Sequence, residues 1–429
     1  MMCDISTWLT KLLKQSGFKV QSTNLKNSSS WKLVDGAIQH VSGYFFKIIG
    51  VRWTTSNQVC EQPLIEQSEI GTMGFILRQN QQEQKQEILI QGKIEPGNVG
   101  GIQIAPTCQA TESNIKCVHG GKLPPYAEYF STPQGKKICD SLRSEQGSRF
   151  FKKRNRNVTI VCDEVIPVLS SHRWERVETV LDLLKKNYRV NTDARSVLVS
   201  TPWHLLVGRE PFSRFQDDFS LQLQKSYQSF SSSVRLDSIK LYLQSMQEQN
   251  LQIKKLEDLK NWVLNEEGIS SQNKKLFRVR QICSYIRGRE ISHWDQPIID
   301  SFHAGKIILL CAQSQNILHF LWKATKEPGL FQGELTPTIV VEPGSQDKKT
   351  TILSYSAQKI IAECWQSEEG SRFFRDINQF QIVDAGKVFD VGENYFWITL
   401  GDIQKLLQEK ECFFTNEARS ILSLLLGWL

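Results

Sequence analysis

Apolar side chains recur every three to four residues in several stretches of the chain, a spacing that places them on one face of a helix. It predicts helices at 5–13 and 175–188, and it returns at 403–407. A longer amphipathic helix is predicted at 251–268, where it ends at a glycine. Residues 136–152 can also form a helix.

Other stretches are rich in β-branched and aromatic residues, which predicts strands. These strands lie at 43–53, 73–78, 87–94 and 158–162, and the glutamine-rich stretch 79–86 is predicted to be an exposed loop. Strands come first, and helices lie between and after them. This order is typical of an α+β layered domain.

One motif occurs twice in the chain. Residues 144–157 read SEQGSRFFKKRNRN, and eight of them return at a constant offset of 223 positions, within 367–378. Shorter matches keep the same order at offsets of 223 to 234. They pair 62–65 with 296–299, 95–97 with 327–329, 106–107 with 337–338, 174 with 397, and 194–196 with 418–420. A repeat of this length indicates two copies of one unit.

The matches divide the chain into an N-terminal segment (1–40), repeat one (41–201), a helical connector (202–275) and repeat two (276–429). Each copy has about 150–160 residues, which is within the usual size of a domain. The connector has no counterpart in either copy. We expect it to pack the two copies together or to form a dimer contact.

The composition is that of a soluble globular protein, with 429 residues, 40% hydrophobic and 23% charged. The formal net charge of +7 is spread along the chain except for one basic cluster at 149–156. Repeat two replaces much of this cluster with Asp376 and Ile377. A nucleic-acid surface would be expected in both copies, so the cluster favours a site for a compact anion such as a diphosphate. RNA binding is the weaker alternative.

Several classes of site are not expected. The ten cysteines form no CxxC pair, which argues against a zinc site and suits a reducing cytoplasm. There is no secretory signal pattern, and the longest apolar run, near 422–429, is too short to span a bilayer. The chain also lacks a P-loop, a dinucleotide fingerprint, a nucleophile elbow and a full Nudix metal box. We therefore expect no metal, no redox cofactor and no membrane partner.

Repeat one carries a dense polar run at 95–101, 106–114 and 119–121. Its glycines permit close backbone approach to a ligand, and its Gln, Thr, Ser and Asn side chains suit a ligand rich in hydroxyl groups. The alternative is a turn-rich loop whose side chains cap their own backbone. Repeat two keeps only the Glu-Pro-Gly and Pro-Thr parts of this run.

The two copies serve as controls for each other. Residues present in both are candidates for the fold, and residues present only in repeat one are candidates for chemistry. Glu145 and Arg149 occur in both copies, so a helix cap or a buried ion pair is the alternative explanation for them. His119, Tyr126 and Arg154 occur only in repeat one.

Together, segments 62–65, 95–98, 109–114, 119–121, 144–157 and 193–195 resemble the NDP-hexose 2,3-dehydratases, which act on dTDP-4-keto-6-deoxy-glucose. The resemblance runs from about residue 31 to the C-terminus. It implies two tandem Nudix-like domains from an internal duplication, a homodimer, and a nucleotide-sugar pocket in each copy without Nudix metal chemistry. The chain departs from the family pattern in repeat two, where the Thr/Ser-Asn run is lost.

The resemblance also implies the chemistry. A base removes the C3 proton beside the 4-keto group, and the resulting enolate needs positive charge or hydrogen-bond donors. An acid helps the C2 hydroxyl to leave, and tautomerisation gives a 3,4-diketo-2,6-dideoxy sugar nucleotide. No cofactor is needed, and a 3-ketoreductase is the expected downstream partner. A non-catalytic protein that binds or scaffolds a nucleotide sugar is the alternative.

Roles for individual residues are assigned as hypotheses. His119 or Tyr126 is the base or the acid, with Glu145 as the competing carboxylate. The remaining candidates bind substrate. They are Arg149, Arg154 and Arg156 for the diphosphate or the enolate, Thr111, Ser113 and Asn114 for the sugar or base, Trp53 for stacking on thymine, and Glu95, Gly97, Asn98, Gln109 and Asn155.

Overall fold

The computed structural model describes residues 4–55, 58–80, 85–118, 122–131, 134–246, 250–287, 291–341 and 359–429. Its helices are α1 (Ile5–Ser16), α2 (Glu112–Ile115), α3 (Ala127–Ser131), α4 (Val177–Leu183), α5 (Thr192–Ser200), α6 (Trp203–Val207), α7 (Asp218–Gln228), α8 (Ser233–Ser245), α9 (Leu400–Leu407) and α10 (Asn416–Leu425). In this part of the chain, no helix combines the length and apolar character needed to cross a bilayer.

The strands up to the connector are β1 (Lys19–Thr23), β2 (Trp31–Val34), β3 (Ala37–His40), β4 (Lys47–Thr55), β5 (Gln58–Glu66), β6 (Gly71–Asn80), β7 (Lys85–Ile94), β8 (Ile102–Ala105), β9 (Cys108–Ala110), β10 (Lys136–Ser144), β11 (Phe150–Phe151), β12 (Arg154–Val161) and β13 (His172–Arg176). The later strands are β14 (Gln252–Lys254), β15 (Trp262–Asn265), β16 (Gly268–Ser271), β17 (Phe277–Tyr285), β18 (His293–Ser301), β19 (Gly305–Ser314), β20 (Ile317–Thr325), β21 (Glu334–Pro337), β22 (Ile339–Val341), β23 (Lys359–Ser367), β24 (Ile377–Lys387) and β25 (Tyr395–Ile398).

Several predicted elements are confirmed. Helix α1 covers the predicted 5–13; Asp4 caps it by accepting a hydrogen bond from the Ser6 amide at 3.0 Å, and Gly17 ends it at φ +59°. The strands predicted at 73–78 and 87–94 lie within β6 and β7. The helix predicted at 175–188 forms as α4 but is shorter than expected.

The helix predicted at 136–152 is wrong, because its first half forms β10. Cys139, Ser141 and Arg143 are buried and alternate with more exposed residues, which is the period of a strand. β10 pairs antiparallel with β12 at the edge of its sheet.

Two seven-stranded sheets have the same topology. In repeat one the order is β10-β12-β6-β7-β13, with β8 paired to β7 and β9 paired to β6. In repeat two the order is β23-β24-β19-β20-β25, with β21 paired to β20 and β22 paired to β19. The matched sequence segments therefore occupy matched places in the two sheets.

The predicted helix at 251–268 is also wrong, because this stretch contains β14, a 3-10 turn and the β15–β16 hairpin. Trp262 is buried and the next residue, Val263, is exposed, so the stretch has the period of a strand rather than that of a helix. Within the predicted connector, the described helices end at Ser245. The β15–β16 hairpin matches the β2–β3 hairpin at an offset of 231, with Trp31 equivalent to Trp262.

The two halves exchange strands and share a core. β1, from the N-terminal segment, pairs with β17 of repeat two, and β14 pairs with β4 of repeat one. Buried Arg195 on α5 donates a hydrogen bond to the carbonyl of Ser367 at 3.0 Å, and Arg419 on α10 donates to the carbonyl of Ser144. The repeated Ala-Arg-Ser motif therefore links each copy to the other.

Candidate functional site

A cavity of about 420 Å³ lies between the repeats, beside the β2–β3 hairpin. Repeat one contributes side chains from the β5–β6 loop, from β7 and the turn that follows it, from β9 and α2, and from the start of β12. Repeat two contributes residues of β18 and the loop 369–372. Its polar lining includes Gln67, Glu69, Lys93, Glu95, Gln109, Thr111, Asn114, Lys153, Asn155, His293, Asp295, Gln296, Glu369, Ser371 and Arg372.

Among the described residues, three cationic side chains line this cavity. Lys153 is 4% exposed, and its ammonium donates a hydrogen bond to the backbone carbonyl of Glu69. Lys93 donates to the carbonyl of Gln109 at 2.9 Å. Arg372 stacks on the ring of Phe46 at 4.2 Å, a cation–π contact. Because they come from different elements of both repeats, the cations surround one ligand space.

Arg372 is held in place by two further contacts. Its Nη2 donates to Oε1 of Gln67 at 3.2 Å, and its Nη1 donates to the carbonyl of Ser371 at 3.0 Å. It remains partly exposed, unlike Lys153. This fixed guanidinium fork suits the oxygens of an anionic ligand.

Carboxylates stand next to these cations. Glu69 accepts hydrogen bonds from the Ser113 amide and the Gln67 side chain, both at 2.7 Å. Burial alone would raise the pKa of Glu69, but these hydrogen bonds lower it overall. Glu95 accepts from Gln109 at 3.3 Å, and Glu369 accepts from the Ser371 hydroxyl.

Aromatic rings form the apolar wall of the cavity. Trp31 packs on Phe46 with ring centroids 4.7 Å apart, and its Nε1 donates to the backbone carbonyl of Asp295 at 2.9 Å. Trp294 donates to Oε1 of Gln296 at 2.9 Å. Burial lowers the pKa of His40, which meets Trp31 edge-on, while Asp295 acts in the opposite direction. A flat aromatic ligand group can stack on such a wall.

The structure brings part of the predicted polar run into the cavity. The lining includes Glu95, Gln109, Thr111, Asn114 and Asn155 from the predicted set. Thr111 also caps α2 by accepting a hydrogen bond from the Asn114 amide at 3.4 Å. The loop therefore caps its own backbone and lines the cavity at once.

Three other predicted residues support the site from outside. Ser113 binds Glu69 through its amide, as described above. Asn98 is buried, and its side chain donates to the carbonyl of Lys93 at 3.1 Å. Gly97 packs against the backbone of repeat two, where its amide donates to the carbonyl of Gly370 at 2.7 Å.

The three predicted diphosphate arginines lie away from the cavity. Arg149 stacks on Phe277 at 4.4 Å, and Arg154 stacks on the ring of Phe331 at 4.0 Å. Arg156 is paired with Asp140 at 2.7 Å. Arg154 and Arg156 lie on β12, and Arg149 precedes β11. None of the three lines the cavity, where the arginine is Arg372 of repeat two.

The proposed catalytic residues have different locations. The Tyr126 hydroxyl donates to the carbonyl of Pro167 at 2.7 Å and accepts from the Leu169 amide at 3.0 Å, outside the cavity lining. Trp53, proposed to stack on thymine, packs instead against Ile49, Val51 and Leu64. His119 lies outside the described residues.

Glu145 lies behind the cavity wall. Its carboxylate accepts hydrogen bonds from Asn155 at 2.6 Å and from Asn416 at 3.1 Å. Burial, together with the nearby Glu369, raises the pKa of Glu145 to about 7. The same pair recurs in repeat two, where Asn378 donates to Glu368. Glu145 therefore holds a cavity residue in place as part of the shared scaffold.

The equivalent position in repeat two is almost filled. It leaves about 40 Å³, and its lining includes Val340, Asp376 and Asn378. Val340 stands where repeat one has Gln109, and Asp376 stands where it has Lys153. Asp376 accepts hydrogen bonds from the Ser301 amide at 2.9 Å and from its hydroxyl.

Sequence reasoning missed the main charged residues of the cavity. Lys153 belongs to the basic cluster that repeat two does not keep, so the signal was present in the sequence. Arg372 and Glu369 belong to the repeated motif of the second copy, which the sequence comparison assigns to the fold rather than to the chemistry. Their contribution to a site on repeat one depends on how the copies pack.

The arrangement supports anion binding and proton transfer in one enclosed space. The cations can hold a charged ligand, the carboxylates can accept a proton, and the aromatic wall can hold a planar group. Among the described residues, no group of three His, Cys, Asp or Glu side chains is placed to hold a metal ion.

Comparison with known proteins gives matches along nearly the whole chain. A family model described as NDP-hexose 2,3-dehydratase matches residues 2–201 and 239–425. The chain is 29% identical to the dTDP-4-dehydro-6-deoxy-alpha-D-glucopyranose 2,3-dehydratase of Saccharopolyspora spinosa, over 97% of this chain and 89% of that protein. Proteins of the same name from Amycolatopsis orientalis and Streptomyces violaceoruber are 26% and 27% identical, over 98% and 93% of this chain and 89% and 91% of their own.

Proposed function

This chain belongs to the NDP-hexose 2,3-dehydratase family, and from that premise we propose that it dehydrates dTDP-4-keto-6-deoxy-glucose in the cavity between the repeats. The enzyme is a hydro-lyase. The observation that carries the proposal is the composition of this cavity, where three cations, three glutamates and a tryptophan wall face one space. Three relatives that are named for this reaction, and that match over nearly their whole length, support the choice of substrate.

The substrate dictates what the cavity must supply. The 4-keto group acidifies the C3 hydrogen, so a base can remove it and leave an enolate. Collapse of the enolate re-forms the C4 carbonyl, makes a C2–C3 double bond and breaks the C2–O bond. The hydroxyl leaves as water after an acid protonates it. The enol product then takes a proton at C2 and becomes the 3,4-diketo-2,6-dideoxy sugar nucleotide.

The cavity has a group for each part of the substrate. Arg372 is the partly exposed guanidinium that would bind the diphosphate, because its fork matches phosphate oxygens. Trp294 would stack on thymine, and Thr111 and Asn114 would bind the sugar hydroxyl groups. Glu369 is the proposed base, because its carboxylate lines the cavity and accepts one described hydrogen bond, from the Ser371 hydroxyl.

Roles for His119 and Tyr126 stay predictions. Asn114 and Pro124, on either side of His119 in the sequence, both line the cavity, which supports testing this histidine as the acid. Tyr126 has its hydroxyl engaged by backbone groups, so Tyr126→Phe should leave turnover within a few-fold of wild type. His119→Ala should lower turnover while leaving dTDP affinity intact.

The decisive experiment is incubation with dTDP-4-keto-6-deoxy-glucose in D₂O, with a 3-ketoreductase added to trap the labile diketone. A trapped 2-deoxy sugar carrying deuterium at C2 is the expected result, because solvent supplies the proton at that carbon. Tight binding of the dTDP-sugar without any turnover would contradict the proposal and favour a non-catalytic binding protein.

We also propose the wider setting of the enzyme. The matching topologies of the two large sheets support two Nudix-like domains that arose by duplication. A homodimer and a 3-ketoreductase that consumes the product are carried over from the family resemblance. A cytoplasmic location is supported by the nine cysteines of the described chain, all of which are free thiols. Light scattering of the purified protein tests the dimer.

A further inference from the structure

We propose that Lys153 binds the oxygen at C4 while it carries the enolate charge, and that it does not act as a diphosphate ligand. This inference rests on the proposed function and names the group that stabilises its intermediate. Lys153 would donate a hydrogen bond to the oxygen as the C3 proton leaves. It would keep its own proton throughout, and the C2 hydroxyl would leave as water with a proton from another group.

The position of Lys153 suits this role. It is the least exposed of the three cavity cations, and the described residues give its ammonium one hydrogen bond, to the carbonyl of Glu69. An ammonium has three donors, so two remain for a ligand in the cavity that this side chain lines. A charge already removed from water acts most strongly on charge that develops during the reaction.

The carboxylates around Lys153 favour a role in binding the enolate oxygen over a role in binding the diphosphate. The pKa of Lys153 is lowered overall, chiefly by burial, while Glu145 and Glu69, and more weakly Glu369, oppose that shift by favouring the ammonium form. These carboxylates would repel a diphosphate, which is fully charged before and after the reaction. The enolate carries its negative charge only as an intermediate, and the base that removes the C3 proton must lie beside it. Stabilising that transient charge accelerates the reaction, whereas holding the diphosphate does not.

Repeat two gives an internal control for the inference. It keeps the Asn–Glu pair beneath the position, as Asn378 and Glu368, but has Asp376 in place of Lys153. The carboxylate of Asp376 is bound to Ser301 and cannot stabilise an oxyanion. The Asn–Glu pair is thus present in both copies, whereas the lysine ammonium is present only in repeat one, which has the open cavity.

The test uses the full chain with Lys153→Met and Lys153→Arg, and with Lys152→Met as the matched control. Lys152 is the adjacent residue, and it is absent from the cavity lining. Turnover is measured with the ketoreductase trap, and affinity for dTDP is measured by calorimetry. We expect Lys153→Met to lose about 10²–10³-fold in turnover with dTDP affinity within about threefold of wild type, as for the loss of one oxyanion donor. Lys153→Arg should keep part of the activity, and Lys152→Met should match wild type.

Three outcomes would overturn the inference. They are full turnover in Lys153→Met, a loss of dTDP affinity that accounts for the whole defect, and a Lys153→Arg variant as inactive as Lys153→Met, which would make the lysine the base. The pH profile of the wild type gives a test independent of folding in the variants. Turnover should fall on the alkaline side as the ammonium is lost, and a rise there would contradict the role. A wild type without turnover overturns the proposed function as well.

Discussion

Gly97 and Gly329 make the same contact, each with the other repeat. The Gly97 amide donates to the carbonyl of Gly370 at 2.7 Å, and the Gly329 amide donates to the carbonyl of Gly147 at 2.8 Å. The Glu-Pro-Gly turn of each copy therefore docks on the Gly-Ser-Arg-Phe-Phe turn of the other. Both motifs are therefore present in each copy, since the first motif of one copy contacts the second motif of the other.

This contact predicts that neither glycine tolerates a side chain. A Cβ at Gly97 would lie 1.6 Å from the carbonyl oxygen of Phe373, and a Cβ at Gly329 would lie 1.7 Å from that of Phe150. We expect Gly97→Ala and Gly329→Ala each to lower the free energy of unfolding by about 3 kcal/mol, because backbone must move to make room. Thermal and urea unfolding measure the loss. Gly392→Ala is the control, since its Cβ would meet only Asn394 at 3.7 Å.

Arg372 and Arg149 occupy equivalent positions but should differ in function. Both stack on a phenylalanine from the opposite half, Phe46 and Phe277 respectively, and only Arg372 lines the large cavity. Arg372→Ala should raise KM for the dTDP-sugar by about 10- to 100-fold, the loss of a charge-assisted contact. Arg149→Ala should change stability and leave KM near wild type. A KM effect of equal size in both variants would contradict this assignment.

The comparison of these arginines shows what the sequence could reveal. Eight residues at one offset reveal the repeat, and the β-branched and aromatic composition predicts strands such as β6 and β7. The sequence does not show which segment each repeated motif contacts, because contacts between the two copies depend on how the copies pack in three dimensions. The sequence therefore predicts Arg149 as a ligand residue, whereas the structure places its equivalent in the other copy, Arg372, in the cavity on repeat one.

The hairpin at 262–271 was missed for a different reason. Its apolar residues, read together with those of the preceding 3-10 turn, fall by chance at helical spacing. The structure separates them into a turn and two strands, and Trp262 packs on Phe277 at 4.9 Å. Short apolar runs leave helix and strand ambiguous until their packing partner is known.

Trp294 rather than Trp53 should hold the nucleobase. Trp294 lines the cavity, whereas Trp53 packs against aliphatic residues of β4 and β5. Trp294→Ala should weaken dTDP binding by about 10-fold, given the 1–3 kcal/mol typical of a base stacked on an aromatic side chain. Trp53→Ala serves as the matched control and should leave the affinity unchanged. Calorimetry with dTDP measures both, and a weaker affinity only in Trp53→Ala would reverse the assignment.

Glu368 should make stability depend on pH. Burial, followed by the nearby Glu417, raises the pKa of Glu368 from 4.5 to about 8, so the folded state favours the protonated acid. The contribution to stability is full below pH 4.5 and is lost as the pH rises through 8. From this shift in pKa, deprotonation of Glu368 should lower the free energy of unfolding by roughly 5 kcal/mol across that range. Glu368→Gln should flatten the slope in urea unfolding between pH 5 and 8. An unchanged slope would contradict the buried carboxyl as its cause.

One nucleotide sugar should bind per chain, although the family resemblance implies a pocket in each copy. The position in repeat two retains about 40 Å³, against about 420 Å³ in the cavity on repeat one. Its Asp376 carboxylate replaces the Lys153 ammonium, so an incoming phosphate would meet negative charge in a filled space. Calorimetric titration with dTDP should give a stoichiometry of one. The variant Lys153→Asp places the residue of repeat two in the open cavity, and it should abolish turnover without creating a second binding site. A stoichiometry of two in the wild type would contradict this prediction and show that repeat two opens to bind the nucleotide.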